Sequence, residues 1–296
     1  MKKSVIIAGA VAAIMAGTAV ADTTVYGRAR MGLVVSAEND NIVGLANGSS
    51  RFGFKGSEDL GNGMAAIYHY ELGYDADNNG QAGTSPVSNR IGVVGLKGDF
   101  GTLAMGNMWT PVYNLVSSAT DKFNLIYNDA EYVISGRAGD AIAYVNKFGA
   151  LDLQAAFVAN DSGAESDLVD AYNIAVKYTT GALAFGVGFH KDSDNTNGAA
   201  SVSYKGDGFY GAVLFYDAQD FGGDKVTSIA GTFDVSAKGK LLARVSAFDI
   251  KDDTGVTLGY QHNMSKRTQA FVETSNNVDN AKYLTGRTII GIKHNF

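Results

Sequence analysis

Apolar and polar residues alternate with period two along most of this chain, the spacing of a strand that keeps one face in an apolar medium. In Thr24–Leu33 one face reads Val25, Gly27, Ala29, Met31, Leu33 and the other Thr24, Tyr26, Arg28, Arg30. The last segment repeats it, with Thr288, Ile290, Ile292, His294 and Phe296 set against Arg287, Ile289, Gly291, Lys293 and Asn295. Similar segments fall near 64–74, 151–160, 170–178, 182–190, 208–217, 226–235, 240–248, 255–262 and 268–275, with the faces ambiguous from Phe209 to Tyr216. Seven connections are short and turn-like, near 58–63, 98–101, 147–150, 179–181, 206–208, 236–239 and 262–266. Their Gly and Asn residues supply the positive φ that tight hairpins need. Eight longer polar loops alternate with them, around 37–48, 73–88, 108–135, 160–169, 191–199, 218–225, 249–254 and 276–284. Fifteen connections predict sixteen antiparallel strands, with both termini on the short-turn side, as a closed outer-membrane barrel requires.

The first segment reads differently. Lys2 and Lys3 precede an apolar run from Val5 to Val20 that ends Ala19-Val20-Ala21, the order of a secretory signal peptide. The run is shorter than the ~20 residues of a membrane span, although an uncleaved anchor helix is the alternative. The expected organisation is a cleaved signal peptide over 1–21 and a single barrel domain over 22–296. No later stretch of 18 apolar residues exists, which excludes transmembrane helices.

Composition sharpens this picture. The 37 Gly argue against a helix-rich fold, and 15 Tyr with 15 Phe favour strands. Apolar residues make up 46% of the chain, yet mean hydropathy is only -0.03, the average of two faces that cancel. Formal charge is -6 before removal of Lys2 and Lys3 and -8 after it, which makes nucleic acid an unsuitable partner. With no Cys, disulfides contribute nothing despite export. A soluble β-sandwich is the rival fold. Export, long loops confined to one end and a terminal Phe favour the barrel.

Particular stretches carry a family resemblance: Val25-Tyr26-Gly27, the run from Ser50 through Arg51-Phe52-Gly53-Phe54-Lys55-Gly56 to Gly63, Val94-Gly95-Leu96-Lys97-Gly98-Asp99-Phe100-Gly101-Thr102-Leu103, and Gly291-Ile292-Lys293-His294-Asn295-Phe296. Over essentially the whole mature chain the sequence resembles a general diffusion porin of Gram-negative outer membranes. The resemblance implies an all-β, 16-stranded antiparallel transmembrane β-barrel with an inward-folded third loop, assembled as a homotrimer. Each barrel would form its own water-filled pore for small hydrophilic solutes and ions.

Arg28, Arg30, Arg51, Arg90 and Arg137 sit on strands 1, 2, 4 and 6, opposite the apolar parity. Arg51, Arg90 and Arg137 precede the next short turn by 7, 8 and 10 residues, which puts them about 18–25 Å up a tilted strand. They can form a ladder on one quadrant of the wall, or be separately solvated lumen side chains. By resemblance they match the family's basic cluster, Arg30 less closely. Asp121 in the longest loop falls near the family's first loop carboxylate. Phe123-Asn124-Leu125-Ile126-Tyr127 fills the place of the second, leaving Asp129 and Glu131 as substitutes or as anchors of the loop. The expectation is that Asp121 faces the arginines across the pore. Asn107 stands where the family often has Arg, a departure from its charge pattern.

Other chemistry is weaker. Twenty of thirty carboxylates lie in or beside the long loops. They read as a solvated rim that mildly favours cations, or as sites for divalent cations and bridges to lipopolysaccharide phosphates, although no ordered Ca²⁺ motif is present. His69, His190, His262 and His294 have no metal-ligand spacing, so neither a metal nor a cofactor is expected. A barrel hydrolase would need a His–Ser pair. His190 and Ser201 lie on neighbouring strands without a supporting signature. Tyr68, Tyr70, Phe185, Phe189, Tyr260 and Phe296 suit interfacial girdles, and a solute-specific sugar or anion channel is the alternative function.

Overall fold

The computed structural model describes residues 22–36, 43–77, 85–126, 136–159, 169–192, 195–217, 219–221, 225–249, 253–276 and 286–296. The strands are β1 (Asp22–Ser36), β2 (Val43–Asn47), β3 (Arg51–Gly61), β4 (Met64–Tyr74), β5 (Val87–Gly98), β6 (Gly101–Trp109), β7 (Arg137–Phe148), β8 (Leu151–Ala159) and β9 (Val169–Thr180). They continue as β10 (Leu183–Asp192), β11 (Asn195–Lys205), β12 (Phe209–Asp217), β13 (Lys225–Asp234), β14 (Gly239–Phe248), β15 (Asp253–Asn263), β16 (Thr268–Ser275) and β17 (Arg287–Asn295). A short helix, α1 (Pro111–Leu115), and a 3₁₀ turn at Ser117–Ala119 lie between β6 and β7.

β2 and β3 both pair with β1 and are separated only by Gly48, Ser49 and Ser50, so they form one interrupted stave. Seventeen segments therefore make sixteen staves. Successive staves pair antiparallel, and β17 returns to β1 from Arg28↔Asn295 to Ser36↔Arg287, which closes the barrel. Phe296 completes the seam: its N–H donates to the Gly27 carbonyl (3.1 Å), the Gly27 N–H donates to its carbonyl (3.0 Å), and its ring lies over the Gly27 backbone. All seven short turns fall where the sequence predicts them. In the first, Asn62 and Gly63 have φ of 53° and 75°.

Burial is inverted relative to a soluble domain. Ile229, Leu241, Val245 and Ile290 are 57, 48, 42 and 58% exposed, whereas Ser228, Arg244, Ser246 and Glu273 on the opposite parity are 0, 4, 4 and 0% exposed. Apolar side chains face outward, as lipid requires, and polar ones face inward. The six aromatic residues assigned to girdles all share the outward parity, Tyr70 with Phe54 and Tyr260 with Leu241 as cross-strand partners.

Two segments depart from the sequence reading. The stretch expected as a long loop at 191–199 is almost all strand, with Asp192 paired to Asn195. Its Asn195 and Asn197 read as loop because an inward-facing strand position is as polar as a loop. In β12 both faces are apolar because the inner one, Leu214 and Tyr216, packs against Val112, Leu115 and Val116 of the α1 region.

Two β-bulges lie beside the inner charged residues. Glu71 pairs with Ile91 and Leu72 with Asn89, which leaves Arg90 as the extra residue of β5. In β6 the register shifts between Gly106 and Met108. Gly106 has φ of +124°, and a Cβ there would sit 1.9 Å from the Gly92 carbonyl oxygen. Backbone at that distance cannot yield as a side-chain tip can, and a non-Gly residue in this region costs roughly 1–3 kcal/mol before the clash. Gly106→Ala is therefore expected to cut the folded yield severely, measured as the heat-resistant fraction in semi-native electrophoresis. A wild-type yield would contradict this reading of the bulge.

Candidate functional site

Cross-strand partners share a face of a sheet, so the register alone gathers the basic residues. Arg30 pairs with Lys293 and Arg28 pairs with Arg51 across β17, β1 and β3. Like charges directly opposed are destabilising, and a wall that tolerates two such pairs is organised for something other than stability. Arg90 joins them through its bulge, which turns both Arg90 and Ile91 inward, 8 and 5% exposed. Bulges of this kind re-aim side chains beside functional sites. Arg137 opens β7 opposite Trp109, its guanidinium 4.6 Å from the indole centroid.

The cluster is held by specific acceptors. Glu71 Oε1 accepts from Arg90 Nε (2.7 Å) and Arg51 Nη1 (3.4 Å), and its Oε2 accepts from the Tyr26 hydroxyl (2.9 Å). The interruption between β2 and β3 supplies carbonyls: Arg51 Nε donates to Ser49 O (2.9 Å) and Arg30 Nε to Gly48 O. Ser49 has φ of 55°, strain of the kind that persists where surrounding contacts fix it. Arg28 Nε donates to Asn295 Oδ1 (3.1 Å).

The segment 110–126 is held by inner-face residues of β8, β9, β12, β14 and β16, and reaches the basic wall through Asn124. Thr110 caps α1 by accepting the Tyr113 N–H, with Pro111 following it, a favoured helix start. Val112 N–H donates to Asn173 Oδ1 (2.9 Å), Asn114 to Gln154 (3.0 Å), and the Tyr210 hydroxyl to the Ala119 carbonyl (2.8 Å). Farther along, Glu273 accepts the N–H groups of Asn124, Leu125 and Ile126 at 2.5, 2.8 and 3.2 Å. Asn124 Oδ1 accepts from Arg30 Nη1 (3.3 Å) and Lys293 Nζ (3.1 Å), and Arg244 donates to the Ile126 carbonyl (3.4 Å). Every one of these wall residues has the inward parity.

Asp121 lines the same cavity as the basic residues. It accepts from the Tyr113 hydroxyl (2.7 Å), Tyr113 stacks on Trp109 at 4.1 Å, and Trp109 carries Arg137. One cavity of ≈ 580 Å³ is lined by Arg28, Arg30, Arg51, Arg90, Arg137, Lys122 and Lys293 together with Asp121. Asp129 and Glu131 lie outside the described residues. The carboxylate that pairs with Arg51 and Arg90 comes from the wall, Glu71, where the sequence reading looked for loop carboxylates. Glu71, Arg244, Glu273 and Lys293 were not singled out as site residues by the sequence. The available signal was a charged residue on the inner parity between outward-facing neighbours, as in Tyr70-Glu71-Leu72.

His190 and Ser201 are not brought together: His190 pairs with Asn197, whereas Ser201 pairs with Gly186 four residues away along β10. Among the described residues no group of three His, Cys, Asp or Glu could hold a metal ion.

Known proteins agree with this geometry. A family model described as Gram-negative porin matches residues 8–282. The major outer membrane protein P.IB of Neisseria meningitidis serogroup B is 26% identical over 345 aligned positions covering 100% of both chains. Its Neisseria lactamica counterpart is 30% identical over 70% of this chain and 58% of that protein. Among solved structures, an anion-selective porin from Comamonas acidovorans superposes with a TM-score of 0.72 at 20% identity, covering 93% of this chain and 100% of that one. OmpT of Vibrio cholerae, in a trimer form, gives 0.69 at 18% identity over 93 and 99%. A closed sixteen-stave barrel with an apolar outside and a charged inside, matched by that model over most of its length, belongs to the Gram-negative porin family: it is an outer-membrane channel for passive diffusion, not an enzyme.

Proposed function

We propose that the segment 110–126 lies inside the barrel as its constriction, and that the basic wall there makes the channel favour small anionic solutes. The observation that carries this is the cavity lining: seven cationic side chains and one carboxylate, Asp121, on the described residues. The wall contacts of the segment, all of inward parity, support its position. The acidic loops led the sequence reading toward a mild cation preference. A permeating ion, however, passes within a few ångströms of the constriction, while rim carboxylates surround a wide mouth and are screened over ~8–10 Å at ordinary ionic strength. The narrow, low-dielectric place focuses the field.

The same reading includes removal of residues 1–21 on export and assembly as a homotrimer, the latter supported by the trimer form of the V. cholerae OmpT. It also has the outward apolar faces meeting lipid, with the acidic rim meeting lipopolysaccharide through divalent cations. Native mass spectrometry tests processing and assembly together: a mature chain starting at Asp22 and a threefold mass are expected. Reversal potential in a KCl gradient across a planar bilayer tests the constriction. Chloride preference is expected, and potassium preference would overturn the basic-constriction reading.

A further inference from the structure

The inward-facing lysines of the short-turn end belong to neither the constriction nor the fold's anchoring contacts. Register places four of them on the inner wall. Lys55 pairs with His69, and Lys97 with Thr102, whose partner Val145 pairs with Gln154 beneath Asn114. Lys177 pairs with Gly186, which lies against the Leu115 carbonyl, and Lys205 pairs with Tyr210, whose hydroxyl reaches Ala119. Among the described residues the ion pairs at this end are Lys147–Asp152 (3.0 Å) and Lys240–Asp234 (3.2 Å); these four lysines form none, although Asp152 stands opposite Lys177 in register. The short-turn end also carries Asp22, Glu58, Asp59, Asp99 and Asp207, which leaves it a small basic excess. The opposite end has the other sign, with Asp75, Asp77, Asp192, Asp220 and Asp249 on the described strand ends and loop edges.

We propose that the pore is an ionic rectifier, basic from the constriction down to a lysine-studded short-turn mouth and acidic above it. The inference rests on the basic constriction proposed above. When the long-loop side is positive, cations enter through the acidic vestibule and anions through the basic mouth, and both accumulate where the two regions meet. Under the opposite polarity both are drawn away from that junction and it is depleted of carriers. The current is therefore larger with the long-loop side positive. Because the effect depends on wall charges reaching across the lumen, it holds at ~0.1 M salt, with a Debye length of ~10 Å, and fades at ~1 M, where that length is ~3 Å.

Current–voltage curves of the trimer in a planar bilayer test this. The chain has no cysteine, so Gln219→Cys, on the exposed 3₁₀ turn Gln219–Phe221, reports orientation through a bulky impermeant maleimide added to one chamber. The expected ratio of currents at opposite polarities of about 100 mV is about twofold in ~0.1 M KCl, falling toward one in ~1 M. The triple variant Lys97→Gln/Lys177→Gln/Lys205→Gln is expected to lower the ratio while the reversal potential keeps its anionic sign. Symmetric currents, larger current of the opposite polarity, or an unchanged ratio in the triple variant each overturn the rectifier. A symmetric pore with an anionic reversal potential sinks this inference alone, whereas a cationic reversal potential sinks the constriction reading beneath it.

Discussion

Glu273→Ala is expected to raise single-channel conductance and open-channel noise without unfolding the barrel. Glu273, 0% exposed on β16, accepts three successive backbone N–H groups from Asn124, Leu125 and Ile126. Hydrogen bonds to a charged acceptor contribute roughly 1.5–3 kcal/mol each, and orphaned buried donors cost about 1–3 kcal/mol each. Opposing release is the packing of Leu125 and Ile126 against Phe271 and Ile289, at about 1.5–3 kcal/mol for each fully buried side chain. The two are comparable, so the segment should not detach permanently. A loss of about 3 kcal/mol still raises the released fraction by roughly a hundredfold, at 1.4 kcal/mol per factor of ten. The other end remains pinned by Val112, Leu115 and Val116 on the wall of β9–β12. Glu273→Gln offers one acceptor oxygen and places its own N–H₂ against the donors, so it should behave more like Ala than like Glu. Thermal unfolding of the trimer is the control. Wild-type conductance and noise in Glu273→Ala would show that apolar packing, with the Asn124 and Ile126 contacts to Arg30, Lys293 and Arg244, holds the segment without Glu273.

The same kind of residue explains what the sequence did and did not disclose. Period-two alternation located the staves because lipid forces one face of each to be apolar, and the Asn62-Gly63 type of turn marked the short-turn end. Parity also placed Arg28, Arg30 and Arg51 inward from the pattern alone. Arg90 was found for an incomplete reason, since its inward aim depends on a bulge that no periodicity records. Glu71 and Glu273 were passed over because a single carboxylate in a strand looks like a solvated lumen side chain. Only the register shows that one lies between two arginines and the other under three backbone donors. The double apolar face of β12 was likewise unreadable until α1 was found packed on it, because its partner lies nearly a hundred residues earlier in the chain. A local pattern reports the medium on each side of a strand. It does not report what another part of the chain brings to that side.

The charge balance around Glu71 yields a graded prediction. In the native site Arg51 and Arg90 share one carboxylate, so this trio carries one net positive charge. Glu71→Gln leaves two, Arg51→Ala/Arg90→Ala leaves one negative charge, and the triple combination leaves none. A unit charge ~6 Å from a permeating ion in water is worth ~0.7 kcal/mol, about threefold in the local concentration of one ion and the inverse for its counter-ion. The chloride-to-potassium permeability ratio should therefore fall in the order Glu71→Gln, wild type, triple variant, double arginine variant. Each step is roughly tenfold at low ionic strength and smaller as salt screens it. Loss of one partner from a buried ion pair also costs stability, roughly 3–5 kcal/mol where water is excluded. Glu71→Gln should accordingly unfold at lower temperature than wild type even as its selectivity sharpens. That combination separates an electrostatic role from a structural one: a merely structural Glu71 would lower stability and blur selectivity together. If reversal potentials show the triple variant as anion-selective as the wild type, Arg51 and Arg90 do not set the field that permeating ions meet, and Arg28, Arg30, Arg137, Lys122 and Lys293 set it without them.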